Sequence, residues 1–174
     1  MRVTLHFIRH GESLANVVQH ETCLGNISHL LMLDPDLSEK GKESSSEAAK
    51  TAPLVDIVMS SELLRAIHTA TLTYPTKIIH VIPHVKELGY GLDNVPIDKD
   101  YQKTYISPHQ HRINFPEKSK LNCATFIQYF QTHILPRFEH KQEVHCALFT
   151  HSRFIKKAFG LKSMLDIPNN GILT

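Results

Sequence analysis

Short apolar runs that alternate with helical periods constrain this chain more than any other feature. Val3, Leu5 and Phe7 alternate with Thr4 and His6, the period-2 pattern of a strand. Further apolar runs fall at residues 54–59, 78–85 and 146–149, and Pro83 makes the second of these a strand end or an edge. Ile172 and Leu173 begin a fifth where the sequence stops. Between them lie helical signals. Ser38 is a good N-cap with Glu39 in the first turn, for a helix reaching about residue 51 before Pro53. Residues 62–73 read as a helix closed by Pro75. Residues 122–138 read as another, with Phe126, Ile127, Phe130 and Ile134 on one face and Pro136 near its end. Residues 154–159, stopped by Gly160, read as a short last helix.

Strands alternating with helices predict an α/β sandwich: three layers, α/β/α, around a mostly parallel sheet. The 174 residues suit one domain spanning 1–174. Residues 89–120 fit no period and read as an inserted loop region, and long loops in compact domains are often functional.

Composition excludes several function classes. Nineteen basic against 17 acidic residues leave a net charge of +2 with no dense basic run, so no nucleic-acid partner is expected. No segment is long and apolar enough to span a bilayer, so no membrane partner is expected. The N-terminus runs directly into a strand without the pattern of a signal peptide, which predicts a cytoplasmic protein. Cys23, Cys123 and Cys146 are widely spaced with no C-x-x-C pair, and read as reduced thiols.

Arg9-His10-Gly11-Glu12 follows the first strand, and in an α/β fold sites are built at the carboxyl ends of strands. An Arg fork matches phosphate oxygens, a neutral His can act as a nucleophile, and Gly11 lets an anion approach the backbone. Arg65 follows the second strand on a helix behind Ser60-Ser61, and His151 follows the fourth with Ser152 opening a helix. Three strand ends thus bring Arg, Arg and His to one sheet edge, a positive site suited to a phosphoryl dianion. Each residue has a plainer reading. Arg65 could pair with Glu62, His151 could be a core histidine, Asn16 could cap the first helix, and Glu87 could be a solvated loop carboxylate with Glu12 its competitor. His109 with His111, and His80 with His84, lack a Cys or carboxylate at a metal-ligand spacing, so no metal site is expected. Ser13 lacks the G-x-S-x-G context of a serine nucleophile.

These segments together resemble the histidine phosphatase superfamily, in the branch that includes cofactor-dependent phosphoglycerate mutase. The resemblance is carried by Arg9-His10-Gly11-Glu12-Ser13 with Asn16, by Leu37-Ser38 with Gly41, by Ser60-Ser61-Glu62-Leu63-Leu64-Arg65-Ala66 with Thr69-Ala70, by Glu87-Leu88 with Gly89 and Gly91, and by Thr150-His151. The other branch typically has Arg and Pro after the His-Gly pair, where this chain has Glu12, Ser13 and Leu14. The resemblance implies a phosphoglycerate-mutase-like fold and hydrolysis of a phosphomonoester without metal or organic cofactor. It implies that His10 carries the phosphoryl group and that Glu87 is the acid. Arg9, Arg65 and His151 would hold the phosphoryl oxygens, with Asn16 a further donor. Ser152 is a candidate phosphate donor, since it and Arg153 stand where the family usually has glycines. The expected partner is a small phosphorylated substrate, with a second anionic group as the feature that the positive insert would recognise. Mutase-type phosphoryl transfer and a non-hydrolytic phosphate-binding regulatory domain are the alternatives.

Overall fold

The computed structural model describes residues 1–21, 25–106, 112–116, 124–162 and 166–174. Its strands are β1 (Arg2–Arg9), β2 (Ile57–Ser60), β3 (Ile79–Val81), β4 (Ile113–Asn114), β5 (Glu143–Thr150) and β6 (Ile172–Leu173). They form one sheet in the order β4-β3-β2-β5-β1-β6. Every pairing is parallel except β1 with β6. The helices are α1 (Leu14–Glu21), α2 (Gly25–Ser28), α3 (Glu39–Ala48), α4 (Leu64–Thr73), α5 (Lys99–Tyr105), α6 (Phe126–Tyr129) and α7 (Ser152–Ala158). Among the described residues, no helix is long and apolar enough to cross a membrane.

Strand alternation sorts the core into two layers, because successive side chains point to opposite faces. On β5, Val144, Cys146 and Leu148 join a cluster with Phe126, Tyr129, Phe130 and Ile134, and Phe7 and Phe154 pack against it. Ala147 and Phe149 face the other way, onto Ala66 and Ala70 of α4 and onto Tyr74. Cys146 is a buried free thiol whose pKa burial pushes up to about 12, so it acts as a small apolar residue. Cys23 and Cys123 lie outside the described residues.

The α/β expectation is met, with two local corrections. The stretch 89–120 is not structureless. It holds a 3₁₀ turn at Leu92–Asn94, then α5 and β4. Asp98 caps α5 by accepting from Asp100 N–H. The helix is anchored through buried Gln102, which donates to Asp34 Oδ2 at 2.8 Å and to the Glu62 carbonyl at 2.7 Å. Polar anchoring of this kind leaves no 3.6-residue apolar period to read. The predicted helix over 122–138 starts at Phe126 within the described residues, then widens into a π turn at Phe130–Ile134 and tightens into a 3₁₀ turn at Leu135–Phe138. Pro136 lacks the N–H that a regular α-helix would use there. The last helix opens at Ser152, as expected behind His151, two residues ahead of its apolar run.

Asp34 ties the sheet edge together. It takes a left-handed backbone (φ 42°), and its carboxylate accepts Leu64 N–H at 2.8 Å and Ile97 N–H at 3.0 Å besides Gln102. It thus caps α4 one residue before Arg65 and fixes the insert to the same point. Asp34→Ala leaves buried donors without acceptors. We expect a loss of about 2–4 kcal/mol in unfolding free energy by chemical denaturation. A loss below about 0.5 kcal/mol would show that Asp34 does not hold this edge.

Candidate active site

The parallel sheet delivers its loops to one edge, and backbone bonds lock the strand ends there. His10 N–H donates to the Thr150 carbonyl at 3.0 Å, and Ser61 N–H to the Phe149 carbonyl at 2.9 Å. The loop after β1 presses against α3. A Cβ on Gly41 would stand 2.0 Å from the Glu12 carbonyl oxygen, and one on Gly11 would stand 2.5 Å from Ser45 Oγ. Only glycines permit this approach. Gly11 N–H donates to Thr69 Oγ1 of α4 at 2.9 Å.

His10 is 4% exposed and His151 is fully buried, with ring centroids 5.0 Å apart. His10 Nδ1 lies 2.6 Å from the Gly11 carbonyl. A carbonyl only accepts, so Nδ1 carries the proton and the neutral ring keeps its lone pair on Nε2. Burial, then Arg65 and Arg9, hold the pKa of His10 well below its usual value. Burial, then Arg65, His10 and Arg9, do the same for His151. Both imidazoles are therefore neutral at pH 7. His151 Nε2 lies 2.9 Å from Ser61 Oγ.

Arg65 is 4% exposed. It donates from Nη1 to the Asp93 carbonyl at 2.6 Å and from Nη2 to Asn94 Oδ1 at 2.9 Å. These two bonds use two of the five guanidinium donors. Arg9 donates to the Ile167 carbonyl and lies 3.6 Å from Asp166. Among the described residues, three buried side-chain atoms have no hydrogen-bond partner: His6 Nε2, Arg9 Nε and His151 Nδ1. Two of the three belong to this constellation, so it holds unspent hydrogen-bonding capacity.

Glu87 is half-buried beyond β3, and its Oε1 accepts Leu88 N–H at 2.8 Å. Burial raises its pKa, opposed by that bond and by Arg65, Arg153 and Arg9. Glu87 therefore senses the same two arginines as His10. The competing carboxylate is engaged elsewhere: Glu12 accepts from Ser38 Oγ at 2.8 Å and from Lys40 at 3.4 Å. Arg65 reaches the insert rather than Glu62, which lies 3.9 Å from Lys86.

Asn16 has a local tie. Its Oδ1 accepts from Ser13 N–H and Ser13 Oγ, both at 3.1 Å. It also lines a cleft of about 600 Å³ with Arg9, Glu12, His20, Lys40 and Asp166. Ser152 is half-buried at the first position of α7. In the insert, Arg112 donates to the Tyr74 and Lys77 carbonyls at 3.0 Å, Lys103 pairs with Asp100 at 2.9 Å, and Lys99 sits over the Phe115 ring. Lys118, Lys120, His109 and His111 lie outside the described residues. His80, of the other suggested metal pair, lies 3.4 Å from Asn114 Nδ2.

Sequence reasoning assigned no role to Ser61, Thr69, Asp93 or Asn94, although these hold His151, Gly11 and Arg65. Ser61 carried a weak signal as a small hydroxyl residue at a strand end. The Asp93-Asn94 pair had none, because its use depends on where the insert folds.

A family model described as histidine phosphatase superfamily (branch 1) matches residues 5–170. No curated protein matches the chain. Among solved structures, a phosphoserine phosphatase mutant from Entamoeba histolytica in complex with phosphoserine superposes with a TM-score of 0.57 at 19% identity, over 98% of this chain and 88% of that one. A phosphoglycerate mutase from Thermus thermophilus gives 0.51 at 22% identity, over 95% and 88%. An α-ribazole phosphatase from Shigella flexneri gives 0.50 at 23%, over 91% and 80%. At these identities the likeness speaks for the fold alone.

The depressed histidines have a measurable consequence. In a histidine-resolved NMR titration, His10 and His151 should stay neutral through the usual value of 6.5, with His10 bearing its proton on Nδ1. The unfolded chain then binds protons that the fold refuses, so stability should fall as pH drops below 6.5. A midpoint at or above 6.5 for His10 would contradict the buried, cationic setting.

Proposed function

The chain belongs to the histidine phosphatase superfamily, branch 1, and from that membership we propose that it hydrolyses phosphomonoesters through a phosphohistidine on His10. One observation carries the reading: a buried, neutral imidazole is held by its Nδ1–H on the Gly11 carbonyl, with a lone pair on Nε2 and two arginines close by.

His10 Nε2 attacks phosphorus, and the ester oxygen leaves with the proton of Glu87. Glu87, now ionised, takes a proton from water as the water attacks the phosphohistidine. Phosphate leaves, His10 regains its lone pair, and Glu87 regains its proton. The burial that raises the Glu87 pKa favours the protonated form that the first step needs. Arg9, Arg65 and His151 stabilise the charge on the phosphoryl oxygens. For His151 the unpartnered Nδ1 is the candidate donor, since Nε2 is already hydrogen-bonded to Ser61 Oγ. Asn16 and Ser152 are further candidate donors, Asn16 through the cleft that it shares with Arg9. Positive charge supplied by side chains makes the scheme independent of metal. The substrate is a small phosphorylated molecule, and a second anionic group on it would meet Lys40 and His20 across that cleft. Enzyme-level transfer to a second acceptor, as in a mutase, has no specific observation in its favour.

His10→Ala should lower kcat/KM for p-nitrophenyl phosphate by at least about 10⁴-fold without unfolding the chain. Glu87→Gln should lower kcat/KM for an alkyl phosphate by roughly 10²–10⁴-fold and affect the aryl ester much less, because p-nitrophenolate leaves without a proton. Robust turnover by His10→Ala would refute the nucleophile, and equal losses on both esters in Glu87→Gln would refute the acid.

A further inference from the structure

Arg153 stands on α7, two residues beyond His151, and is exposed. Its Nη1 donates to the Leu88 carbonyl at 3.1 Å. The N–H of that same Leu88 donates to Glu87 Oε1 at 2.8 Å. The segment carrying Glu87 is irregular, so its place depends on such ties. A second tie comes from the same stretch as Arg153: Thr150 Oγ1 donates to the Val85 carbonyl at 2.6 Å. Thr150 and Arg153 therefore grip the acid segment on either side of Glu87, with His151 between them in sequence. Gly89 gives Arg153 room for its grip, since a Cβ there would lie 2.7 Å from Arg153 Nη1.

We infer that Arg153 is a positioning residue: through the Leu88 peptide it clamps the Glu87 segment to the helix opened by His151, and it keeps the carboxyl in register with the phosphoryl site. The inference rests on the acid role proposed for Glu87. The guanidinium also acts through its charge. Glu87 is faced by Arg9 from β1, Arg65 from α4 and Arg153 from α7, with His84 and Lys86 on its own segment and Lys86 lying 3.9 Å from Glu62. Burial raises the Glu87 pKa, and each of the three arginines opposes that rise. Without Arg153 the pKa climbs. General-acid activity persists while Glu87 is protonated and fades as pH rises through its pKa. Loss of Arg153 therefore moves the alkaline limb upward.

The test is kcat/KM against pH for an alkyl phosphate and p-nitrophenyl phosphate, in wild type, Arg153→Met, Arg153→Lys and Glu87→Gln. Arg153→Met should lower the alkyl-to-aryl ratio by roughly tenfold, the scale of a misplaced acid. It should also shift the alkaline limb for the alkyl ester up by about 0.3–1 pH unit, a shift that shrinks with salt because the Arg is exposed. Arg153→Lys keeps the charge and should restore the limb. An unchanged ratio and limb in Arg153→Met, beside a selective alkyl loss in Glu87→Gln, overturns the role of Arg153 alone. No selective loss in Glu87→Gln overturns the acid role and this inference together.

Discussion

Two guanidinium groups are held out of water beside a buried, neutral imidazole, and the rest of the structure answers to that constraint. Removing a cation from water is costly unless hydrogen bonds and counter-charges compensate. Arg65 finds the Asp93 carbonyl and Asn94, with Asp34 and Glu87 supplying negative potential. Arg9 finds the Ile167 carbonyl and Asp166, with Glu87 again contributing. Burial, joined by their field, keeps His10 and His151 as neutral imidazoles. The site therefore combines strong positive potential with an available lone pair, which water-exposed groups would not sustain.

The sheet makes this arrangement rigid. Parallel neighbours β1, β5, β2 and β3 end at one edge, and the residue after each of β1, β2 and β3 donates its N–H to the strand beside it. That geometry places His10 and Ser61 by backbone bonds rather than by side-chain choice, while His151 directly follows β5 at the start of α7. The less regular parts are attached afterwards: the insert through Asp34 and Gln102, the acid segment through Thr150 and Arg153.

What could be read from the sequence follows the same division. Strand ends carrying Arg9-His10, Arg65 and His151 were legible because apolar runs and turn residues mark strands locally, and the motif order is specific. The antiparallel β6 was legible only as two apolar residues, since its pairing with Phe7 and Ile8 is non-local. The helix α5 was missed because Gln102 and Asp34, not an apolar face, fix it. The break at Phe130–Ile134 was hinted at by Pro136 alone. Ser152 and Arg153 were noticed as departures from the family pattern, but the grip of Arg153 on Leu88 needed the fold. Likewise, the ties of Glu12 to Ser38 and Lys40 depend on how α3 packs against the first loop.

The central claim is a covalent phosphoryl group on one atom, His10 Nε2. The direct measurement is to quench the enzyme during turnover and locate the phosphate by tandem mass spectrometry and ³¹P NMR. The account predicts an acid-labile, base-stable phosphohistidine at His10, substituted on Nε2 because the Gly11 carbonyl holds the proton on Nδ1. Phosphate on another side chain, or on His10 Nδ1, would contradict it.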